Sequence, residues 1–148
     1  MNNENVLQTL ADLVGPRLSA ANPLKDSLFV TVADPKPEPS LHTYAVLQTS
    51  KQQAQELVPG NFTWRFPCRA LAVFYPPEDA GYTPDNIEGW MQELGLALVA
   101  ACSALLANPR QYPTFYPLDA TVAGPIHWAP DATGGYEGTV DFILTIQF

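Results

Sequence analysis

The 148-residue chain has the length of one domain, and an apolar share of 47% is enough for an ordinary core and too much for a disordered chain. Seven Lys and Arg against fifteen Asp and Glu give a formal charge of -8, so a surface that tracks phosphates, and with it sequence-specific nucleic-acid binding, is not expected. Cys68 and Cys102 lie inside apolar segments without a disulfide framework or metal-ligand spacing, and are expected as buried thiols in a reducing compartment. The first residues lack the basic patch, apolar run and cleavage site of a secretory leader. The uncharged run 94–107 is shorter than the ~20 residues that cross a bilayer, so no membrane partner is expected.

Val6, Leu7, Leu10, Leu13, Val14 and Leu18 recur at three- and four-residue spacing, which predicts an amphipathic helix over about residues 4–20. Gly15-Pro16 interrupts it, so the helix either ends near Val14 or kinks there. Leu28, Val30 and Val32 alternate with Phe29, Thr31 and Ala33 in a first strand that ends at Asp34. "PKPEP" follows, read as a stiff projecting connection because alternating prolines hold it extended and remove donors. A second strand over residues 42–49 is the natural antiparallel return. The glutamine-rich "SKQQAQELVPGN" is loop or one or two helical turns.

"FTWRFPCRALAVFY" reads as a central strand, since both faces are mostly apolar from Ala70 onward, with Pro67 marking a bulge or an edge. Within it Phe62, Trp64 and Phe66 share one face, and either extend the core or form a partner contact. The second helix opens with Thr83 as cap, Pro84 in the first turn and acidic Asp85 and Glu88 near its positive end. Ile87, Trp90, Met91, Leu94, Leu98, Ala101 and Leu105 form its stripe, and Leu96, Val99, Cys102 and Leu106 widen the apolar surface. Such a helix is expected to pack on a sheet and to meet something else as well. Asn108-Pro109 ends it. "RQYPTFYP" is an aromatic connection, residues 120–128 a fourth strand, and "APDATGGYEG" a turn into the last strand. There Val140, Phe142, Leu144, Ile146 and Phe148 fall on one side, and Thr139, Asp141, Ile143, Thr145 and Gln147 on the other. The fold class is α+β: an antiparallel sheet of about five strands packed by two helices, in the order α-β-β-β-α-β-β, as one domain over residues 1–148.

No constellation of residues names a reaction. His42 and His127 have no companions at metal-binding spacing, and no G-x-S-x-G or Cys-His signature is present. The glycines of "ATGGYEG" lead into a strand, which fits a turn and not a phosphate loop. Asp79, Asp85, Glu88 and Glu93 read as a solvated face. No catalytic residue, metal or cofactor is expected.

The succession "VLQTLADLV", "CRALAVFY", "NIEGWMQELGLALVAACSALLAN" and "YEGTVDFILTIQF" resembles the tail terminator (tail-completion) proteins of tailed bacteriophages. The resemblance spans most of the chain and rests on order and spacing; residues 35–39 and the glutamine-rich stretch have no counterpart in it. It implies a non-enzymatic virion protein of the tail or neck, made in the host cytoplasm. Such proteins form a homo-oligomeric ring, usually a hexamer, on the end of the tail tube, stop its growth and dock to neck or connector proteins. The expected assembly contacts are Pro35, Lys36, Pro37, Glu38 and Pro39 in the projecting connection, Trp64 and Phe66 in the central strand, and Asp141 in the last one. The second face of the last strand meets the next subunit, lines a channel whose acidity would repel DNA, or faces solvent. Two alternatives stand beside this: another neck, tube or baseplate adaptor, and a cellular small-molecule-binding domain with Trp64, Trp128 and Tyr136 around a pocket.

Overall fold

Helical spacing of apolar residues produces α1 (Asn3–Val14), which buries Val6, Leu7, Leu10, Ala11 and Val14. The α-helix stops at Gly15-Pro16, and the chain tightens into a 3-10 turn over Gly15–Arg17, closed by the Leu18 N–H on the Gly15 carbonyl at 3.1 Å. Proline has no N–H to continue the ladder, so the ending of the two foreseen is the earlier one. The computed structural model describes residues 3–31, 43–49, 55–56, 63–74, 82–123, 127–130 and 135–148.

Among the described residues, seven strands follow the alternation of the sequence: β1 (Leu28–Thr31), β2 (Thr43–Thr49), β3 (Gln55–Glu56), β4 (Thr63–Phe74), β5 (Tyr116–Val122), β6 (His127–Pro130) and β7 (Tyr136–Gln147). Five of them form the sheet in the order β1-β2-β4-β7-β5, with β3 added beside β4 and β6 beside β7. The long helix α2 (Pro84–Ala107) lies between β4 and β5 in sequence. Both helices pack on one face of the sheet, α1 toward β1 and β2, α2 toward β5 and β7, and they touch each other. The α+β class and the five-stranded path agree with the reading of the sequence.

Four details differ from that reading. The second strand is not an antiparallel return: β2 runs parallel to β1, with Leu28 opposite Ala45 and Thr31 opposite Gln48, so the sheet is mixed. Alternation fixes which side chains face the core, here Leu28 and Val30, but it is the same whichever way a strand runs. The glutamine-rich stretch contributes a two-residue strand, with Gln55 opposite Arg65. The strand assigned to residues 120–128 is two strands, and the first begins four residues earlier at Tyr116. Pro67 is not at the start of the central strand but inside it, opposite Ile143 of β7. It occupies the gap between the ends of β2 and β3 along β4, since β2 reaches Cys68 and β3 starts at Arg65. The Thr49 hydroxyl donates to the Pro67 carbonyl at 2.9 Å, so the donorless residue faces that gap. A central strand tolerates proline where no ladder partner needs its N–H.

The core lies between the sheet and the helices. Phe66, Phe74 and Phe142 from the sheet meet Ile87, Met91, Leu98 and Leu105 of α2 and Leu7 and Leu10 of α1, all fully buried. Each such side chain contributes about 1.5–3 kcal/mol on burial. Trp90 stacks on Phe74 with centroids 6.0 Å apart and takes the edge of Tyr82 at 4.9 Å. At the helix start the Thr83 hydroxyl accepts from the Asn86 N–H at 3.2 Å, as a cap residue should. α2 is long and apolar enough to cross a membrane, and nine of its residues are buried inside the fold.

Candidate assembly surfaces

Alternation gives the sheet a second face, turned away from the helices. At one end of it Tyr44, Val46 and Val73 are buried with Leu71 against them. The rest is open and polar around Pro67, Arg69, Asp141 and Ile143, which the antiparallel register of β4 and β7 sets side by side. The Arg69 Nε donates to the Asp141 carboxylate at 2.9 Å, and both side chains are more than half exposed. Asp141 is therefore on the second face, as its place in the strand requires, but its charge is paired. Across β4, β7 and β5 this face carries Arg65 and Arg69 against Asp119, Glu137 and Asp141. Two cations against three carboxylates do not make a strongly acidic wall.

The other expected contacts divide. Phe66 is buried under the helices, with its ring edge-on to Phe148 at 6.1 Å, so in the folded subunit it cannot present itself to a partner. That overturns Phe66 as a contact: even-numbered residues of β4 point to the core, and the aromatic alternation was the core face itself. Trp64 shares that face farther along the strand and is half-buried against the core. Pro35, Lys36, Pro37, Glu38 and Pro39 lie outside the described residues, as do Phe62 and His42. His127 is exposed on β6.

A shared pocket for Trp64, Trp128 and Tyr136 does not form. Tyr136 is opposite Phe74, and Trp64 is ten residues away on the same β4, a separation of roughly 33 Å at the usual strand rise. A shallow depression of about 400 Å³ lies elsewhere, lined by Arg110, Tyr112, Phe115, Tyr116 and Phe148 among others. Among the described residues no three His, Cys, Asp or Glu side chains are grouped to hold a metal. Burial pushes the Cys68 thiol up to about 12 and the Cys102 thiol up to about 11, so neither is a thiolate nucleophile near neutral pH.

What the sequence reading missed is apolar surface left exposed. Leu96 and Val99 of α2, read in the sequence as widening the helix's apolar surface, both face outward. Phe29 on β1 and Tyr116 and Leu118 on β5 are exposed too. The wheel held the signal for α2: at 100° per residue Leu96 lies opposite the Ile87 and Leu105 line. For Leu118 the sequence held none, because it is the extra residue of a bulge, between Pro117 opposite Ile146 and Asp119 opposite Thr145.

Neither a protein-family profile nor a curated protein sequence matches the chain. Among solved structures it is similar to a chain of the "Virion of native gene transfer agent (GTA) particle", with a TM-score of 0.52 and 13% identity. That similarity covers 97% of this chain and 98% of the other, so the two share a fold from end to end.

Proposed function

We propose that this chain is a non-enzymatic structural protein of a phage-like virion. The single observation that carries this is the end-to-end fold likeness to a chain of a virion particle. Beside it stand surfaces suited to assembly: an exposed apolar helix face and two sheet edges carrying exposed aromatic or aliphatic side chains.

Within that class we favour a tail terminator: a ring, hexameric in the commonest form, that sits on the finished tail tube, stops its growth and joins the neck. The resemblance in element order supports this position, and the mixed sheet with two helices on one face is compatible with it. Residues 35–39, Trp64 and Asp141 are its proposed contacts with neighbouring copies, tube or neck. Purified tube protein from the same virion, polymerised with and without this chain and imaged by electron microscopy, tests the assignment. Short tubes carrying one extra ring at an end are expected. Tubes of unchanged length with the chain bound along their sides would place it as a tube or sheath adaptor, and no binding at all would remove the tail reading. Joint replacement of His42 and His127 by Gln is expected to leave the capping intact.

A further inference from the structure

Resting on the ring reading, we infer that neighbouring copies join head to tail, the α2 and β5 side of one subunit docking on the β1 edge of the next. The five large apolar side chains most exposed among the described residues are Leu96 (71%), Val99 (48%), Leu118 (45%), Phe29 (43%) and Tyr116 (38%). Three of them fall on the two outer strands of the sheet path, and two on the outward side of α2. Phe29 is on β1, the first strand of the path, and Tyr116 and Leu118 are on β5, the last. The ends are four strand spacings apart, roughly 19 Å.

Leu96 and Val99 belong to the β5 end. On one flank of α2, Glu93 accepts from the Ser19 backbone and from Asn22, which ties that flank to the segment after α1. Val99 is on the opposite flank, away from α1, and the helix packs on β5 more than on any other strand. Leu96 lies on the crest between the flanks, and Ala100, Ser103 and Ala107 continue the exposed line.

Charge selects a second copy as the occupant. Residues 94–109 and the whole of β1 carry no charged side chain, and β5 carries only Asp119. On a chain of net charge -8, these are the surfaces on which two copies meet with least repulsion. A two-fold dimer through α2 would leave Phe29 in water, whereas a head-to-tail contact covers both patches. Repeated, such a contact closes into a ring or grows into a filament.

The test uses two full-length variants sized by light scattering, alone and mixed. Leu96→Glu with Val99→Glu blocks one patch, and Phe29→Glu blocks the other. The parent is expected to oligomerise, each variant alone to stay monomeric, and the mixture to stop at a 1:1 dimer, because each variant keeps the patch its partner lacks. Thermal melts matching the parent exclude misfolding, and Leu118→Glu or Phe29→Ser replaces any variant that fails this control. If the parent oligomerises and the variants do too, the head-to-tail contact is wrong and the ring survives. If Phe29→Glu alone dimerises, the contact is two-fold through α2. A parent monomeric at millimolar concentration overturns both the contact and the ring.

Discussion

Asn22 is a fully buried polar residue, and all of its side-chain groups are occupied. Its amide donates to the Trp90 carbonyl at 3.2 Å and to Glu93 at 3.3 Å, while its carbonyl accepts from the Leu24 N–H at 3.0 Å. Asn22→Ala leaves those groups without partners, so a loss of about 1–3 kcal/mol is expected in denaturant titration. Glu93, on the other side of this knot, experiences opposing effects. Partial burial pushes its carboxyl up, but hydrogen bonds from the Ser19 backbone, Asn22 and the Ser19 hydroxyl, with Lys25 nearby, bring the net below the ordinary value of 4.5. A carboxyl held lower in the folded state stabilises the fold at pH above 4.5, and that stabilisation is lost as pH falls through 4.5 toward the folded value. Melts between pH 7 and 3 should therefore show Glu93→Gln less stable than the parent at pH 7 and converging on it in acid. Parallel curves would mean that this carboxylate contributes nothing. None of this was legible in the sequence, where Glu93 read as part of a solvated face. Its partners lie 74 and 71 residues away, and no local pattern reports such a distance.

The helix α2 shows what periodicity can and cannot resolve. Its stripe, cap and terminator follow from residue spacing and are present as read, because burial on a sheet demands a continuous apolar side. The outer side is also apolar, and spacing alone does not tell a second buried face from one kept for a partner. Replacement of two leucines separates the faces. Leu98→Ala should cost about 2–5 kcal/mol, since the side chain is wholly enclosed and leaves a cavity. Leu96→Ala, at an exposed site, should change the melt of the separate subunit by at most about 0.5 kcal/mol. Equal losses at both positions would mean that the crest of the helix is covered. The strands follow the same logic. The core sides of β4 and β7 were legible from alternation, while the parallel direction of β2 and the bulge at Leu118 depend on pairing between distant segments.

For the whole molecule, the paired and open face of the sheet limits what electrostatics can do. Asp141→Lys places a cation beside Arg69 on an exposed surface, so the separate subunit should lose no more than about 1 kcal/mol. If that face meets a neighbouring copy or a channel, the same change should reduce assembly or particle yield in proportion far beyond this loss. Unaltered yield would leave the face to solvent. The proposed function was legible only as a succession of elements, because an assembly subunit would need surfaces and not a reactive cluster, and surfaces are set by how the strands order themselves across the sheet. The central claim is that such surfaces close a ring. Native mass spectrometry of the full-length chain tests it most directly: a single closed species of six 16.2 kDa copies is predicted, and a monomer across the whole accessible concentration range would contradict it.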